Sequence, residues 1–186
     1  MTPTITHTED LVARCREGDQ RAQLELYERY YKAMYNTALR IVKDTAEAED
    51  IMQEAFLNAF TKLDSFQGTS TFGAWLKKIV VNKSINAFNK KTRHPEVSYN
   101  DELRNEADDH DGILTGEEQT NEKVKMILRA LSKLKENYRI SLMLHLIEGY
   151  DYEEICEILD ISYANCRTTI SRAKESLRKK LMKYEN

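Results

Sequence analysis

The chain has 186 residues, of which 41% are hydrophobic, so it has enough apolar surface for one medium-sized core or two small ones and is not a disordered protein. Only six glycines and two prolines are present, which predicts long helices with few turns and an all-α fold class. The acidic residues (31) outnumber the basic ones (28), a balance that disfavours a non-specific DNA-coating protein.

The cysteines and the apolar runs indicate where the chain resides. Cys15, Cys156 and Cys166 have no CxxC spacing and are odd in number, which fits a reducing compartment better than a disulfide scaffold. No apolar run approaches the roughly 20 residues of a membrane span, and the N-terminus lacks a signal-peptide pattern. We therefore expect a cytoplasmic protein.

Residues 9–43 begin the predicted elements with two helices that separate near Gly18. Residues 45–63 predict an amphipathic helix, because apolar residues recur on one face and acidic residues on another. The predicted apolar face consists of Ala48, Met52, Ala55, Phe56, Ala59 and Leu63, and the predicted polar face consists of Glu47, Asp50, Glu54 and Asn58.

Residues 64–71 are rich in turn formers and predict a loop, which a basic amphipathic helix over 71–91 follows. Pro95 is predicted to close the first domain. Residues 96–117 lack periodicity and are strongly acidic, which predicts a flexible linker. Helices are expected again over 117–132 and 136–148.

The last forty residues have the pattern of a helix-turn-helix. A helix over 152–159 should bury Ile155, Ile158 and Leu159, a turn follows at 160–162, and Ser162 is placed to cap the next helix. The second helix carries an apolar stripe and, largely pointing away from it, a polar and basic face. The stripe is Cys166, Ile170, Ala173, Leu177 and Leu181, and the polar face includes Arg167, Thr168, Ser171 and Arg172.

The charges are segregated along the chain. Residues 65–95 contain six basic residues and no acidic one, and residues 161–184 contain seven basic residues and one acid. Between them, residues 96–123 contain ten acids and two bases. Two positive modules joined by a negative segment favour two contacts with one polyanion, for which nucleic acid is the leading candidate.

Three other interpretations compete with this one. The basic helices could be ordinary solvated surfaces of an α-hairpin. The chain could be a stand-alone helix-turn-helix regulator that binds a palindrome as a dimer, with residues 1–95 as a sensor or dimerisation domain. An enzyme is disfavoured because the four histidines are scattered and no glycine-rich phosphate loop is present, so we predict no catalytic residue, metal site, cofactor or small-molecule substrate.

Several blocks resemble the extracytoplasmic-function sigma factors, the smallest class of the sigma-70 family. Residues 48–60 are similar to their region 2.2, and residues 66–79 with Val81 and Asn82 are similar to regions 2.3 and 2.4. Residues 149–155 through 171–174 are similar to region 4.2. The order and spacing of these blocks cover nearly the whole chain apart from the linker.

The resemblance implies a dissociable, non-enzymatic subunit of RNA polymerase that recognises promoters and helps to open them. It implies two small helical domains, region 2 over 1–95 and region 4 over 118–186, joined by the acidic linker 96–117. The implied partners are core RNA polymerase (the β′ clamp helices and the β flap), promoter DNA and an anti-sigma factor. For polymerase docking, the resemblance implies Asp50, Gln53 and Glu54.

The resemblance also assigns two sets of DNA-binding residues. The first set, for the melted −10 element, is Phe66, Gln67, Thr69, Ser70, Asn82, Lys83 and Asn86. The second set, for the −35 duplex, is Asn165, Arg167, Thr168, Ser171 and Arg172, with His145 added. Trp75 is spaced with Ile79 as a core residue, and we expect it to be core rather than a surface for base stacking.

Overall fold

The computed structural model describes residues 7–93 and 122–183 of the chain. These residues form two compact units, one within residues 1–100 and the other within 101–186. The described residues contain helices and no strand, as the composition predicted. Pro95 and the predicted linker over 96–117 lie outside the described residues, and so does the predicted helix start at 117.

Within residues 7–93, the first unit has four α-helices, three of which pack around a long central one. Helix α2 packs against each of the other three, so it is the centre of this unit. A single 3-10 turn, Leu63–Ser65, leads into the loop before the fourth helix. The helices are α1 (Thr8–Arg16), α2 (Gln20–Val42), α3 (Thr45–Thr61) and α4 (Phe72–Arg93).

Polar side chains fix the starts of three of these helices. The Asp19 carboxylate accepts hydrogen bonds from the backbone N–H groups of residues 21 and 22, and Asp44 accepts one from residue 47. The Thr71 hydroxyl accepts one from the N–H of residue 74 at 3.2 Å. Each bond satisfies a backbone donor that a helix start leaves unpaired, so these residues set where α2, α3 and α4 begin.

The core of the first unit confirms the predicted apolar face of α3. All six of its residues are buried, together with apolar residues of the other helices. Gly73 allows α4 to approach α2 closely, since a Cβ atom there would lie 2.7 Å from Cε1 of Tyr30. Trp75 packs half-buried against this core, as expected.

Within residues 122–183, the second unit has four α-helices and one π-helical turn. Its last two helices form the predicted helix-turn-helix. Asp151 and Glu154 form a reciprocal capping box at the first of them, and Ser162 caps the second. The elements are α5 (Glu122–Ser132), α6 (Glu136–Leu142), the π-helix Met143–Ile147, α7 (Tyr152–Leu159) and α8 (Tyr163–Leu181).

A buried arginine lies beneath the π-helical turn. Arg139 is fully buried, and its guanidinium donates to the Glu136 carboxylate and to the sulfur of Met143, the latter at 3.5 Å. A buried guanidinium requires such partners because an unpaired charge in the core would be strongly destabilising. The pairing therefore ties α6 to the turn that follows it.

The structure corrects three sequence-based predictions about element bounds and burial. Helix α3 ends at Thr61 instead of 63, and the chain tightens into the 3-10 turn. The helix predicted over 136–148 is α-helical only to Leu142, because the backbone then widens so that the N–H of Glu148 bonds the carbonyl of Met143. Ile158 and Leu159 are half-buried and not buried, because they lie at the end of a short helix.

No helix within the two described ranges is long and apolar enough to cross a membrane.

Candidate functional site

The first candidate surface is the exposed side of α3. Asp50, Gln53 and Glu54 are all exposed there, on the side away from the buried apolar face. The amide nitrogen of Gln53 donates to the Glu49 carboxylate at 3.3 Å. The result is an acidic, hydrogen-bonding helix face that suits a basic partner helix.

Leu57 belongs to the same face, although sequence reasoning missed it. Its side chain is 68% exposed, the largest exposure among the large hydrophobic residues in the described part of the chain. Leu57 lies seven residues after Asp50 and four after Gln53, so helical spacing places it within the acidic patch. That spacing was visible in the sequence and could have identified it. We call Asp50, Gln53, Glu54 and Leu57 the α3 face.

The second candidate surface is the loop over residues 66–71, between the 3-10 turn and α4. Gln67, Thr69 and Ser70 are exposed, as expected for groups that bind a partner. Phe66 is half-buried, and its ring lies 5.2 Å from that of Trp75 and 6.0 Å from that of Phe72. Phe66 therefore anchors the loop to the rings of Phe72 and Trp75, which we call the aromatic floor, while the neighbours of Phe66 face solvent.

Helix α4 continues this surface. Asn82 and Asn86 are exposed and lie one helical turn apart, on the same face as Trp75. Three turns of helix separate the loop from Asn82, roughly 15 Å. Lys83 differs from its neighbours, because it is half-buried and its ammonium lies 2.9 Å from the Glu54 carboxylate on α3.

The third candidate surface is the outer side of α8. Its buried stripe is Cys166, Ile170, Ala173 and Leu177, with Leu181 half-buried, so the predicted stripe is largely confirmed. On the other side, five polar residues are exposed; we call them the α8 face. They are Asn165, Arg167, Thr168, Ser171 and Arg172.

Hydrogen bonds and ion pairs leave much of the α8 face available. The Thr168 hydroxyl donates to the carbonyl of residue 164 at 2.8 Å, and the Asn165 side-chain oxygen accepts from Thr169 at 3.2 Å. Arg167 and Arg172 form no ion pair with another residue of the described ranges. Their guanidinium groups therefore keep their donors for an anionic or base-edge partner.

His145 is held by contacts within the second unit. Its Nδ1 lies 3.1 Å from the carbonyl oxygen of Tyr150, and its ring packs against Tyr152 at 5.1 Å. Because a carbonyl only accepts, Nδ1 must carry the proton of this bond. Nε2 is the nitrogen that remains for any outside contact.

Two titratable groups of the second unit, Cys166 and Tyr150, are buried. Burial, together with a smaller contribution from the neighbouring Cys156 side chain, raises the pKa of the Cys166 thiol to about 11. Burial likewise raises the pKa of Tyr150 to about 12. Both groups are therefore neutral at physiological pH. Within residues 7–93 and 122–183, no cluster of His, Cys, Asp and Glu side chains could hold a metal ion.

Comparison with known protein families matches both units. Residues 26–94 match the family described as Sigma-70 region 2, and residues 125–177 match the family described as Sigma-70, region 4. The described part of the chain thus has the all-α architecture of two sigma domains.

Relatives that match over most of the chain indicate which class of sigma factor it is. The chain is 33% identical over 179 residues to the ECF RNA polymerase sigma-E factor of Escherichia coli (strain K12), which covers 92% of each protein. It is 30% identical to the protein of the same name from Haemophilus influenzae, over 92% of this chain and 93% of the relative. The chain therefore belongs to the extracytoplasmic-function sigma factors of RNA polymerase, which act in transcription initiation.

Solved structures agree on the fold. The sigma factor RpoE from Bartonella quintana, solved in complex with the anti-sigma factor NepR, is 23% identical to this chain and has a TM-score of 0.57, over 87% of this chain and 97% of that one. CnrH in complex with the cytosolic domain of CnrY is 23% identical with a TM-score of 0.56, over 95% and 97%. Sigma factors as a class are non-catalytic regulatory proteins.

Proposed function

We propose that three surfaces of this sigma factor have separate partners. The α3 face docks on the β′ clamp helices of core RNA polymerase, the 66–71 loop with α4 holds the −10 element, and the α8 face reads the −35 element. One observation carries the proposal: thirteen of the sixteen predicted site residues are exposed, and the helices that carry them bury their opposite sides. The exceptions are Phe66, Lys83 and His145.

Docking through the α3 face follows from its chemistry. Carboxylates on an exposed helix side form charge-assisted hydrogen bonds with a basic partner helix, and such bonds are stronger than neutral ones. Leu57 adds exposed apolar area within the same patch. Interfaces commonly combine an apolar centre with a polar surround, and the α3 face has both.

The loop and α4 supply the groups that an unpaired DNA strand needs. Gln67, Thr69 and Ser70 offer hydrogen bonds to the edge of an extruded base, above the aromatic floor. Asn82 and Asn86 extend the contact along α4, and lysines on the same helix face the phosphate backbone. Phe66 contributes by anchoring the loop, since its ring packs inward.

The α8 face supplies the groups that read duplex DNA. Arg167 and Arg172 can bind guanine edges through two parallel hydrogen bonds, and Asn165 can bind adenine in the same way. Thr168 and Ser171 have hydroxyls for bases or phosphates. His145 presents Nε2 for a further contact.

Family membership supports the remaining assignments. Region 2 occupies residues 1–95, the linker 96–117 and region 4 residues 118–186. The protein acts in the cytoplasm, catalyses no reaction itself, contacts the β flap as well as β′, and is restrained by an anti-sigma factor. RpoE is bound to the anti-sigma factor NepR in its solved structure, and CnrH is bound to the cytosolic domain of CnrY. These complexes support the assignment of an anti-sigma partner.

Run-off transcription tests the proposal. Purified core polymerase is combined with the full chain and fragmented genomic DNA, and transcription starts are mapped with and without the chain. The expected result is a set of new start sites that share two elements upstream. Initiation that is equal with and without the chain, or tight binding to a palindromic duplex in the absence of polymerase, would contradict it.

A further inference from the structure

Arg16 connects the first helix to the 66–71 loop. It lies at the C-terminal end of α1, and its Nη2 donates a hydrogen bond to the carbonyl oxygen of Phe66 at 2.5 Å. The same nitrogen lies 3.5 Å from the carbonyl oxygen of Leu63, in the 3-10 turn. One side chain thus links α1 to both the start of the loop and the turn before it, fifty residues further along the chain.

The bond to Phe66 holds the backbone at the point where the loop turns outward. Phe66 is the last residue whose ring packs on the aromatic floor, and Gln67 is the first exposed side chain. The carbonyl of Phe66 and the N–H of Gln67 belong to the same planar peptide. Fixing that carbonyl therefore also fixes the position of the Gln67 Cα, from which the Gln67 side chain extends into solvent.

The remaining loop has its own anchor at the opposite end. The Thr71 hydroxyl accepts from the N–H of Ala74 and so fixes the start of α4. Between these two anchors, Gly68 adopts a φ of +70°. A glycine there gives the chain a left-handed conformation that other residues adopt only at a cost. The loop is thus short, bends at Gly68 and is held by hydrogen bonds at both ends.

A loop that is ordered before it binds loses less conformational freedom on binding. Ordering flexible groups at an interface lowers affinity, and a preformed loop avoids that cost. A charged donor such as a guanidinium forms stronger hydrogen bonds to carbonyls than a neutral donor does. Arg16 is well suited to this task, because within the described residues it forms no ion pair that would draw it away.

We infer that Arg16 is a positioning residue for the base-binding loop: its bond to the Phe66 carbonyl presets the orientation of Gln67 and the residues after it. The inference rests on the proposed function of the 66–71 loop. Arg16 does not itself contact the base and acts through the backbone.

The single tryptophan of the chain reports on this arrangement directly. Trp75 packs against Phe66, so loosening the loop exposes the indole to a quencher in solution. Acrylamide quenching of the free full-length protein is measured for the wild type, Arg16→Gln, Arg16→Lys and Arg21→Gln. Arg21 is an exposed arginine on α2, so Arg21→Gln is the matched control for loss of one surface charge.

Arg16→Gln is expected to raise the quenching constant by about 2-fold through local opening of the loop, whereas Arg21→Gln leaves it unchanged. With core polymerase, Arg16→Gln should slow open-complex formation at a promoter mapped by run-off transcription by about 5-fold, without loss of polymerase binding. Arg16→Lys keeps one charged donor. Its quenching constant and its rate of open-complex formation should therefore both lie close to the wild-type values.

Two results overturn the inference while the proposed function stands. One is a wild type that initiates normally together with an Arg16→Gln variant that matches Arg21→Gln in quenching and in open-complex formation. The other is increased quenching in Arg16→Gln with normal open-complex formation. A wild type that gives no polymerase-dependent initiation overturns the proposed function itself, and the role of Arg16 with it.

Discussion

Lys83 and Glu54 form an ion pair with 2.9 Å between ammonium and carboxylate, although the sequence predicted a different partner for each. Lys83 was expected to contact promoter DNA, and Glu54 was expected to contact polymerase. The pair joins α4 to α3, and Glu54 remains 65% exposed in its side chain. In the free protein, the proposed polymerase-binding and DNA-binding surfaces therefore share one electrostatic contact.

The first prediction is that Glu54→Gln strengthens binding of the free protein to single-stranded DNA. Without the carboxylate, Lys83 loses its competing partner and becomes available to phosphate. An exposed ion pair is worth about 0–1 kcal/mol, which corresponds to a gain in affinity of up to roughly 5-fold. Fluorescence anisotropy with a short oligonucleotide of random sequence, at low ionic strength, measures it.

Glu47→Gln is the matched control, because Glu47 on α3 pairs with Lys91 on α4 at 2.6 Å and has no predicted partner outside the protein. An equal gain in both variants would mean that release of Lys83 has no special role, because loss of a carboxylate or release of Lys91 produces the same effect. If the Glu54 variant alone gains affinity, docking of Glu54 on polymerase should favour DNA binding by a similar factor, since such coupling is reciprocal.

The helix starts and the exposed faces could be predicted from the sequence because they depend on neighbouring residues. Ser162 was identified as a cap, and the polar residues of α8 were placed opposite the apolar stripe by helical periodicity alone. The Lys83–Glu54 pair and the Arg16–Phe66 bond could not, since they join residues 29 and 50 positions apart. No periodic pattern encodes such contacts.

The π-helical turn was beyond sequence reasoning for a different reason. Residues 143–147 have ordinary helical composition, and only the widened hydrogen bond between Glu148 and Met143 distinguishes them from an α-helix. The buried Arg139 is another case, because a sequence pattern treats an arginine as a surface residue. Both features depend on tertiary packing.

The second prediction is that the double variant Asp50→Lys with Glu54→Lys loses polymerase binding. Reversing two charges places like charges opposite a basic partner helix, which costs several kcal/mol, on the order of 100-fold in affinity. Both positions are exposed, so the fold should survive. Co-purification with core polymerase measures binding, and circular dichroism checks the fold. A folded double variant that still co-purifies would refute the docking assignment.

The third prediction concerns the apolar part of the α3 face. Leu57→Ala should weaken polymerase binding by about 1–2 kcal/mol, because the side chain becomes buried only in the complex. Stability should change by no more than about 0.5 kcal/mol, as for other exposed positions. Leu24→Ala is the control, since Leu24 on α2 is 58% exposed and lies outside the α3 face. Equal affinities for both variants would place Leu57 outside the interface.

The fourth prediction is that Arg172→Ala weakens recognition of the −35 element by about 1–3 kcal/mol if Arg172 contacts a base, and by less if it contacts only phosphate. Holoenzyme binding is measured on duplexes with single substitutions in that element. Loss of discrimination at one base pair indicates base contact, and a uniform loss with a lower salt dependence indicates phosphate contact.

Arg178→Ala is the control for Arg172, because Arg178 lies on the same helix but pairs with Glu175 at 2.7 Å. It should reduce binding less and leave discrimination unchanged. Equal behaviour of the two variants would show that α8 contributes only general positive charge.

The fifth prediction is that Cys166 makes stability fall at alkaline pH. Burial raises the pKa of its thiol to about 11 from an ordinary value of 9.0, so the unfolded chain loses this proton at a lower pH than the folded one. The stabilisation is complete below pH 9 and is lost as the pH rises through 11. For one proton, the slope is at most about 1.4 kcal/mol per pH unit.

Urea unfolding of the wild type and Cys166→Ala between pH 8.5 and 10.5 measures this loss, because titrating groups that do not contact Cys166 contribute equally to both. Tyr150, whose pKa is raised to about 12, acts in the same direction but mainly above this range. The free energy of unfolding should fall more steeply with pH in the wild type than in the variant, even though the variant is less stable at neutral pH. Parallel curves would mean that the Cys166 thiol ionises in the folded protein as readily as in the unfolded chain. The buried side of α8 would then be open to water.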